Sequence, residues 1–361
     1  MKNLNKNKAT AGSTAGCGML LGLGLLAAAL PAAAQKSPVA TPPYTLKVFA
    51  TAPRGTSQPD SIVQWGDHII VGFENGVAKD GTDGKSSTIV QFSLSGKVER
   101  TFSVPGHNDG LRVVGDDDLW AVQNEDANPN LVAIELHSGA KKQYKFPPTP
   151  HGGGYDDMVV KNGEVFMTAS NPNLDTAGNN VFPALVRASL SGSSVLVEPV
   201  LDGNASATDI PSGAPVTLNL TDPDSLTIDP RGNILLDSQA DSELVFIRHP
   251  FTDEQKVGLL KLTSPVTGPM NATITVDDTA FAPDPKAFLL ITDVNAGVIY
   301  RLDAGTFGFE PGTAYSASDT LGLLGTLNLD NGLVTPVVTG FGSARGLLFV
   351  SRDGDKDGDD K

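Results

Sequence analysis

Apolar and polar residues alternate with a period of two along most of this chain from Tyr44 onward. Leu244 and Phe246 form one example, and Val298 and Tyr300 form another. This period is typical of β-strands with one buried face, whereas an amphipathic helix repeats its apolar positions every three or four residues. Glycine and proline interrupt the alternating runs, and no helical pattern of useful length is present. The sequence therefore predicts an all-β protein built from short strands.

A short motif precedes four of these strands: PDSI at 59–62, NDGL at 108–111, YDDM at 155–158 and PDSL at 223–226. Each motif has an aspartate, then a small or polar residue, then an aliphatic residue that begins a strand, and three more strand-like runs follow. Asp60, Asp109 and Asp156 are 49 and 47 residues apart, and the longer gap to Asp224 contains a loop-like insertion around residues 205–214. A repeat of four strands and about 50 residues is typical of a β-propeller blade.

Two weaker repeats follow. Asp278 precedes the apolar runs AFLLITD and GVIYRL, and TAYSAS, LLGTLNL and LVTPVV supply three further strands. SARGLLFV at 343–350 supplies an inner strand in which Arg345 takes the place of the aspartate, and we expect TLKVFA at 45–50 to close the ring. The fold prediction is thus a six-bladed β-propeller of four-stranded blades, closed by the chain termini. A β-sandwich is the alternative, but it would not require six similar four-strand units.

The first 34 residues have the features of a secretory signal peptide. Lys2, Lys6 and Lys8 precede the apolar run GMLLGLGLLAAAL, and three alanines then offer a cleavage point before Gln35. The run is short for a membrane span, and an uncleaved anchor helix is the alternative. We expect export to the periplasm or the extracellular space, a proline-rich linker at 35–43, a single propeller domain at 44–350 and a disordered acidic tail at 351–361. No membrane span should remain after cleavage, and we expect a monomer.

Composition excludes several kinds of site and partner. Cys17 is the only cysteine and falls in the predicted signal peptide, so the mature chain would have no disulfide, thiolate metal site or cysteine nucleophile. Loss of three lysines and no acidic residue with that segment changes the formal net charge from −15 to −18. A chain this acidic repels phosphate backbones, so nucleic acid is not an expected partner.

The aspartates of the repeat should meet at one mouth of the propeller channel, because the first strand of each blade lines that channel. Carboxylates that converge at low dielectric repel one another, and they must take up protons or bind a cation. An oxygen-rich set suits a divalent cation, with calcium expected first and magnesium, manganese or zinc as alternatives. Taken singly, each residue has the alternative explanation of turn chemistry, in which its side chain accepts nearby backbone N–H groups. The residues concerned are Asp60, Asn108, Asp109, Asp156, Asp157 and Asp224.

NDG at 108–110 and PDSLTID at 223–229 resemble motifs of the senescence marker protein/gluconolactonase family, whose members are six-bladed propellers with a central divalent metal. The resemblance implies a metal shell of one glutamate, two asparagines and one aspartate, each from a blade entrance. By position, Asn108 matches one asparagine, and Asp224 matches the aspartate, which would also act as general base. Asp60 stands where the family has its glutamate, and Asp156 or Asp157 replaces the second asparagine. We take Asp60, Asn108, Asp157 and Asp224 as the predicted metal ligands.

Other polar residues beside the predicted mouth are candidates for catalysis or substrate binding. His107 and His151 could protonate a leaving alkoxide, because histidine titrates near neutral pH, and an exposed loop histidine is the alternative for each. The glycine triplet after His151 would let its loop reach over the channel. Asp109, Asp156 and Arg345 are assigned to substrate binding, and a structural ion pair is the alternative for Arg345.

Two functions therefore remain open. The first is an exported, metal-dependent hydrolase that acts on a small ester or lactone at the channel mouth. The second is a non-catalytic propeller, similar to the NHL-repeat propellers, that binds a peptide, a glycan or another cell-envelope ligand through its loops.

Overall fold

The alternating runs form strands throughout the part of the chain that the computed structural model describes, residues 37–267 and 272–351. The predicted signal peptide and residues 352–361 of the predicted tail lie outside these residues. The first fourteen strands are β1 (Val39–Ala40), β2 (Tyr44–Thr51), β3 (Pro59–Trp65), β4 (His68–Phe73), β5 (Ser86–Ser93), β6 (Val98–Pro105), β7 (Asn108–Val114), β8 (Asp118–Gln123), β9 (Asn130–Glu135), β10 (Lys141–Lys145), β11 (Tyr155–Lys161), β12 (Glu164–Ala169), β13 (Pro183–Ser191) and β14 (Ser194–Asp202). The other thirteen are β15 (Ser206–Asp209), β16 (Pro215–Thr217), β17 (Pro223–Ile228), β18 (Ile234–Ser238), β19 (Glu243–Arg248), β20 (Lys256–Lys261), β21 (Asp278–Phe281), β22 (Phe288–Asp293), β23 (Val298–Ala304), β24 (Ala314–Ser318), β25 (Leu323–Leu327), β26 (Val334–Thr339) and β27 (Ala344–Val350). A single 3₁₀ helix, Pro265–Thr267, completes the described elements.

Most of the strands are arranged as four-stranded antiparallel groups. Strands β3 to β6 form one group, β7 to β10 a second, β11 to β14 a third and β17 to β20 a fourth. A parallel bridge between Lys145 and Ser194 joins the second group to the third, so that the described strands make five hydrogen-bonded sheets. We call the strand that begins each group its inner strand, because these strands surround the cavity described below.

The last two groups are not continuous along the chain. Strand β21 pairs with β24, and the sheet continues through β25 to β26, whereas β22 and β23 lie between β27 and β2. We expected β22 and β23 to follow the strand at Asp278, and that assignment is wrong, because Asp278 pairs with Ala317 while Leu290 pairs with Leu348. Alternation identifies a strand but not its partner, and here a hairpin that belongs to another sheet is inserted between β21 and β24. Strand β2 does pair with β23, as predicted for the strand that closes the ring.

Each group packs against the next through buried apolar side chains. Phe166 of β12 and Leu236 of β18 share one cluster, and Ile291 of β22 and Tyr315 of β24 share another. Six clusters of this kind lie between successive groups of the described chain, including one that joins β4 to β22. Burial of apolar area contributes about 25 cal/mol per Å², so these contacts are the main source of stability. The inner strands contact one another in the same order and β27 contacts β3, which gives an all-β architecture of the propeller type.

The small residue after the repeated aspartate has a steric role between inner strands. Ser61 Oγ donates a hydrogen bond to the carbonyl oxygen of Asp109 on the neighbouring inner strand. At the equivalent position of the next group, a Cβ atom on Gly110 would lie 2.3 Å from the carbonyl oxygen of Asp156. A side chain at position 110 would therefore push β7 and β11 apart.

In two groups the residue after the first aspartate is a second aspartate. Its carboxylate accepts a hydrogen bond from a backbone amide of the next inner strand. Asp157 Oδ2 accepts a hydrogen bond from the Leu226 amide at 2.9 Å, and Asp278 Oδ2 accepts one from the Leu347 amide at 2.7 Å. Each contact joins an inner strand to the next one. Donor and acceptor are 69 residues apart in each contact, so these bonds join strands and differ from turn chemistry, in which a carboxylate accepts a backbone N–H of its own turn.

Two segments that we expected to be irregular contain strands. Within the insertion around residues 205–214, β15 runs parallel to β20 and also pairs with β16, so the insertion extends its sheet. In the predicted linker, Val39 and Ala40 pair with β26. Among the described residues, no helix has the length and apolar character needed to cross a membrane.

Candidate metal centre

A cavity of about 1070 Å³ lies among the inner strands. Around one of its ends, each group contributes the residue that begins the repeat motif or takes its place. In the first four groups this residue lies within a β-bulge, which breaks the pairing locally and can direct a side chain away from the sheet. We give the place of this residue in the motif the name position one. The residues at position one are Asp60, Asp109, Asp156, Asp224, Asp277 and Arg345.

Three carboxylates of the lining come close enough to share an ion. Oxygen atoms of Glu125, Asp156 and Asp224 all lie within 4.8 Å of one another. Glu125 and Asp156 are 8% and 9% exposed, and Asp224 is partly buried. Carboxylate oxygens are the preferred ligands of hard divalent cations, so these three residues form a candidate metal centre.

The charges of this triad are only partly compensated. Burial raises the pKa of Asp156 and of Asp224 well above the usual value, and neighbouring carboxylates add to the rise. Glu125 behaves differently, because burial raises its pKa but the contact with Lys79 Nζ outweighs burial and holds that pKa below its usual value. A cation bound between the three residues would supply the positive charge that favours the ionised carboxylates.

His107 and Asp109 lie beside this triad. His107 Nε2 is 2.9 Å from Asp109 Oδ1, and oxygen atoms of Asp109 and Glu125 and a ring nitrogen of His107 all lie within 4.8 Å of one another. Burial lowers the pKa of His107, but Asp109 and the more distant Glu74 outweigh burial and raise it to about 10. Burial and the charge of Glu125 raise the pKa of Asp109 to about 7.

Arg345 neutralises the opposite side of the mouth. Its Nη1 donates to Asp60 Oδ2 at 2.8 Å and to Glu74 Oε1 at 2.9 Å, and its Nε lies 3.5 Å from Asp277 Oδ1. Burial raises the pKa of Asp60, but the Arg345 guanidinium outweighs burial and brings that pKa below its usual value. Burial and the charge of Asp60 raise the pKa of Glu74 to about 9. Arg345 is therefore engaged in a network of ion pairs, as the alternative explanation for this residue proposed.

Some of the predicted site residues line the cavity, and others lie outside its lining. Asp60, Asp109, Asp156, Asp224 and Arg345 line the cavity. Asp157 also lines it, but one of its oxygens accepts the Leu226 amide hydrogen bond described above.

Asn108 is fully buried outside the cavity lining. Its Nδ2 donates to the carbonyl oxygen of Val122 at 3.0 Å, because position one is taken by the following residue, Asp109. Of the four predicted metal ligands, Asp60, Asp157 and Asp224 line the cavity and Asn108 does not.

The two predicted histidines differ in their surroundings, and neither is an exposed loop residue. His107 is 2% exposed and lies behind Asp109. His151 is also 2% exposed, with Nε2 2.8 Å from the carbonyl oxygen of Gly154 and its ring against Tyr155, and it is not part of the cavity lining. Burial lowers the pKa of His151. The loop after His151 turns this ring into the protein instead of over the channel.

Four residues of the mouth were not predicted from the sequence: Glu74, Lys79, Glu125 and Asp277. Glu74 and Glu125 follow the ends of β4 and β8, and the second strand of an antiparallel pair ends where the first begins. Both glutamates therefore return to the mouth, and a search just past each second strand could have found them. Asp277 was missed because Asp278, which bonds the Leu347 amide, was taken as the start of the motif.

No protein-family model matches the chain, and no curated protein sequence matches it. Three solved structures illustrate what its fold is similar to. Virginiamycin B lyase from Staphylococcus aureus is 13% identical, with 80% of this chain and 86% of that chain covered and a TM-score of 0.46. A putative gluconolactonase is 11% identical, with 88% of each chain covered and a TM-score of 0.47. A streptogramin B lyase is 14% identical, with coverage of 85% and 98% and a TM-score of 0.43. These identities are too low to transfer an activity to this chain.

Proposed function

We propose that this protein is an exported six-bladed β-propeller that uses a divalent cation, calcium in the first instance, to hydrolyse a small ester or lactone. The observation that carries the proposal is the convergence of Glu125, Asp156 and Asp224 within 4.8 Å at the end of the cavity. The resemblance of NDG and PDSLTID to metal-dependent propeller motifs gives separate support. Six clusters between successive groups of the described strands support the blade count.

The proposed ligand set differs from the set expected from the resemblance. Asp224 is retained, while Glu125 and Asp156 replace Asn108 and Asp157. Asp60 is assigned to the network around Arg345 instead of the metal, because its Oδ2 already accepts a hydrogen bond from the guanidinium.

The residues around the proposed ion can each be given a role. A bound divalent cation would polarise a substrate carbonyl and lower the pKa of a water. Asp224 would act as a ligand through one carboxylate oxygen and accept a proton from that water through the other. Lys79 Nζ, in contact with Glu125, holds this carboxylate ionised. The cavity volume of about 1070 Å³ is slightly above the usual range of about 300–1,000 Å³ for small-molecule sites.

Cation binding and hydrolysis test the proposal together. Purified protein would be treated with a chelator and then titrated with Ca²⁺ by calorimetry and by thermal unfolding, and its hydrolysis of a panel of lactones and aryl esters would be measured. Asp224→Asn should abolish both the calcium-dependent shift and hydrolysis, whereas Asp330→Asn, at an exposed turn, should change neither. Export is tested by mass spectrometry of the secreted chain, which should begin at Gln35.

Two results would count against the proposal. If the wild-type protein binds no divalent cation, the metal centre does not exist, and the non-catalytic binding propeller becomes the better explanation. If it binds calcium through Asp224 but hydrolyses nothing in the panel, the metal site stands and the hydrolase assignment is lost.

A further inference from the structure

We propose that the mouth of the cavity holds two cations, and that the second is bound by His107 Nε2, Asp109 and Glu125, with Glu125 shared between both sites. This inference extends the proposed function, in which Glu125, Asp156 and Asp224 bind the first ion. The two sets of three residues each have their ligand atoms within 4.8 Å of one another, and Glu125 is the only member common to both among the described residues. A carboxylate has two oxygens and can bridge two ions.

The contacts of His107 determine which of its ring nitrogens can bind a metal. Its Nδ1 lies 2.9 Å from the carbonyl oxygen of Val77, and a carbonyl can only accept a hydrogen bond. Nδ1 therefore donates to this carbonyl, and Nε2 is the ring nitrogen that would give up its proton when a metal ion binds. Metal-binding histidines commonly donate their other ring N–H to a backbone carbonyl in this way, which fixes both tautomer and orientation.

The atom that His107 presents to the cluster has no hydrogen-bond partner. Nε2 lies 2.9 Å from Asp109 Oδ1, but the geometry of this contact does not make a hydrogen bond, and Asp109 Oδ2 has no partner either. The two side chains are only 2% and 5% exposed. Buried polar atoms without partners are rare and costly, and they commonly mark a place where a protein binds an ion or a water. An ion between Nε2 and the two carboxylates would satisfy all of them at once.

The residue types indicate which cation the second site would accept. One imidazole nitrogen with two carboxylates suits zinc, manganese or another first-row transition metal better than calcium, which prefers oxygen ligands alone. Asp109 and Glu125 line the cavity, so a coordination position of the ion would be open on that side, as it is in sites that take up a water or a substrate. The centre would then combine a site for a hard cation with a site that tolerates nitrogen.

Lys79 is the protein's own positive charge at this cluster, and it leaves room for the second ion. Its Nζ contacts Oε1 of Glu125, while its side chain is 49% exposed and approaches from the solvent side. His107 and Asp109 approach the same carboxylate from the interior, with side-chain exposures of 2% and 5%. The ammonium group therefore compensates part of the charge of Glu125 without supplying a partner to His107 Nε2.

The experiment measures the number of ions and their proximity with manganese alone. Chelator-treated protein would be dialysed against Mn²⁺, the bound metal counted by mass spectrometry, and the ions examined by electron paramagnetic resonance. We expect two ions per chain with a spectrum showing exchange coupling, because a shared carboxylate holds them close. His107→Gln should lower the count to one and abolish the coupling. Asp224→Asn should also lower it to one, and His137→Gln, at a largely exposed histidine, should leave two coupled ions.

The possible results separate this inference from the proposed function. One ion in the wild-type protein that is lost in Asp224→Asn overturns the second site and leaves the first intact. No bound ion overturns both. Two uncoupled ions that persist in His107→Gln also overturn the inference, since they would not share Glu125. If circular dichroism shows that His107→Gln is unfolded, Asp109→Asn provides the same readout and must lower the count to one.

Discussion

Raising the pH in the presence of a chelator should destabilise this protein, because several carboxyl groups at the mouth hold their protons more tightly in the folded state. The pKa of Glu74 is raised to about 9 and that of Asp109 to about 7. In the unfolded chain such groups titrate near pH 4. Between pH 5 and 7 the folded protein therefore binds protons that the unfolded chain has released, and stability falls as pH rises.

The magnitude follows from the two pKa values. Each group of this kind lowers the free energy of unfolding by about 1.4 kcal/mol per pH unit. From pH 5 to 7, Glu74 alone accounts for about 3 kcal/mol and Asp109 for about 2 kcal/mol, a large part of a total stability of about 5–15 kcal/mol. His107 acts in the same direction, because its raised pKa of about 10 contributes stability that is complete below pH 6.5 and lost toward pH 10. Asp60 does not enter, since its lowered pKa matters only below about pH 4.

Calcium should oppose this dependence through its own ligands. The ion binds Asp156 and Asp224 in ionised form and releases the protons that their raised pKa values favour, so its affinity increases with pH. At a hundred times its dissociation constant, calcium adds about 2.7 kcal/mol to the free energy of unfolding.

The assay is thermal unfolding at pH 5, 6, 7 and 8, with chelator and with calcium, on wild type, Glu74→Gln and the exposed-site control Glu254→Gln. We expect a fall in melting temperature with chelator of roughly 10 °C between pH 5 and 7, a smaller fall in Glu74→Gln, and no change from wild type in the control. A melting temperature that is constant or rising in chelator would refute the reasoning.

Two further predictions concern the fold around the site. Arg345→Met removes the cation from the buried carboxylate of Asp60, whose pKa the guanidinium lowers, and should lower the free energy of unfolding by about 3–5 kcal/mol in urea at pH 7; a loss below 1 kcal/mol would show that Asp60 does not depend on this ion pair. Gly110→Ala places a Cβ atom 2.3 Å from the Asp156 carbonyl oxygen and should cost about 1–3 kcal/mol while weakening calcium binding. Gly115→Ala, at a turn with a φ of +67° and no atom within 4 Å, should also lower stability through backbone strain, but it should leave calcium binding unchanged.

The repeat could be predicted from sequence because its signals are local. An aspartate, a small residue and an aliphatic residue before an alternating run identify the start of an inner strand without knowledge of its neighbours. Pairing depends on contacts far apart in the chain. The hairpin of β22 and β23 has the same alternation as any other, so its place beside β27 instead of β21 could not be read from its residues.

Most of the predicted site residues line the cavity, but the three carboxylates that come closest together include Glu125, which was not among them. A strand pattern gives the register of a motif only to within a residue or two, and one residue decides whether a side chain faces the cavity or the sheet. Asn108 and Asp109 differ by this one step, and only Asp109 lines the cavity. Glu125 could not be found from the motif at all, since it reaches the cluster from the end of the neighbouring strand β8.

Contacts with the backbone of the next inner strand explain the second position of the motif but not the first. Asp157 and Asp278 use their carboxylates to bond a backbone amide of the next inner strand, and the small residues at the other second positions keep inner strands close. Among the described residues, none of the five aspartates at position one accepts a hydrogen bond from a backbone N–H. Asp60 and Asp277 contact Arg345, whereas burial and neighbouring carboxylates raise the pKa of Asp109, Asp156 and Asp224. Carboxylates that cost stability and support no neighbouring backbone are best explained by what they bind, and this is why the metal centre is proposed at position one.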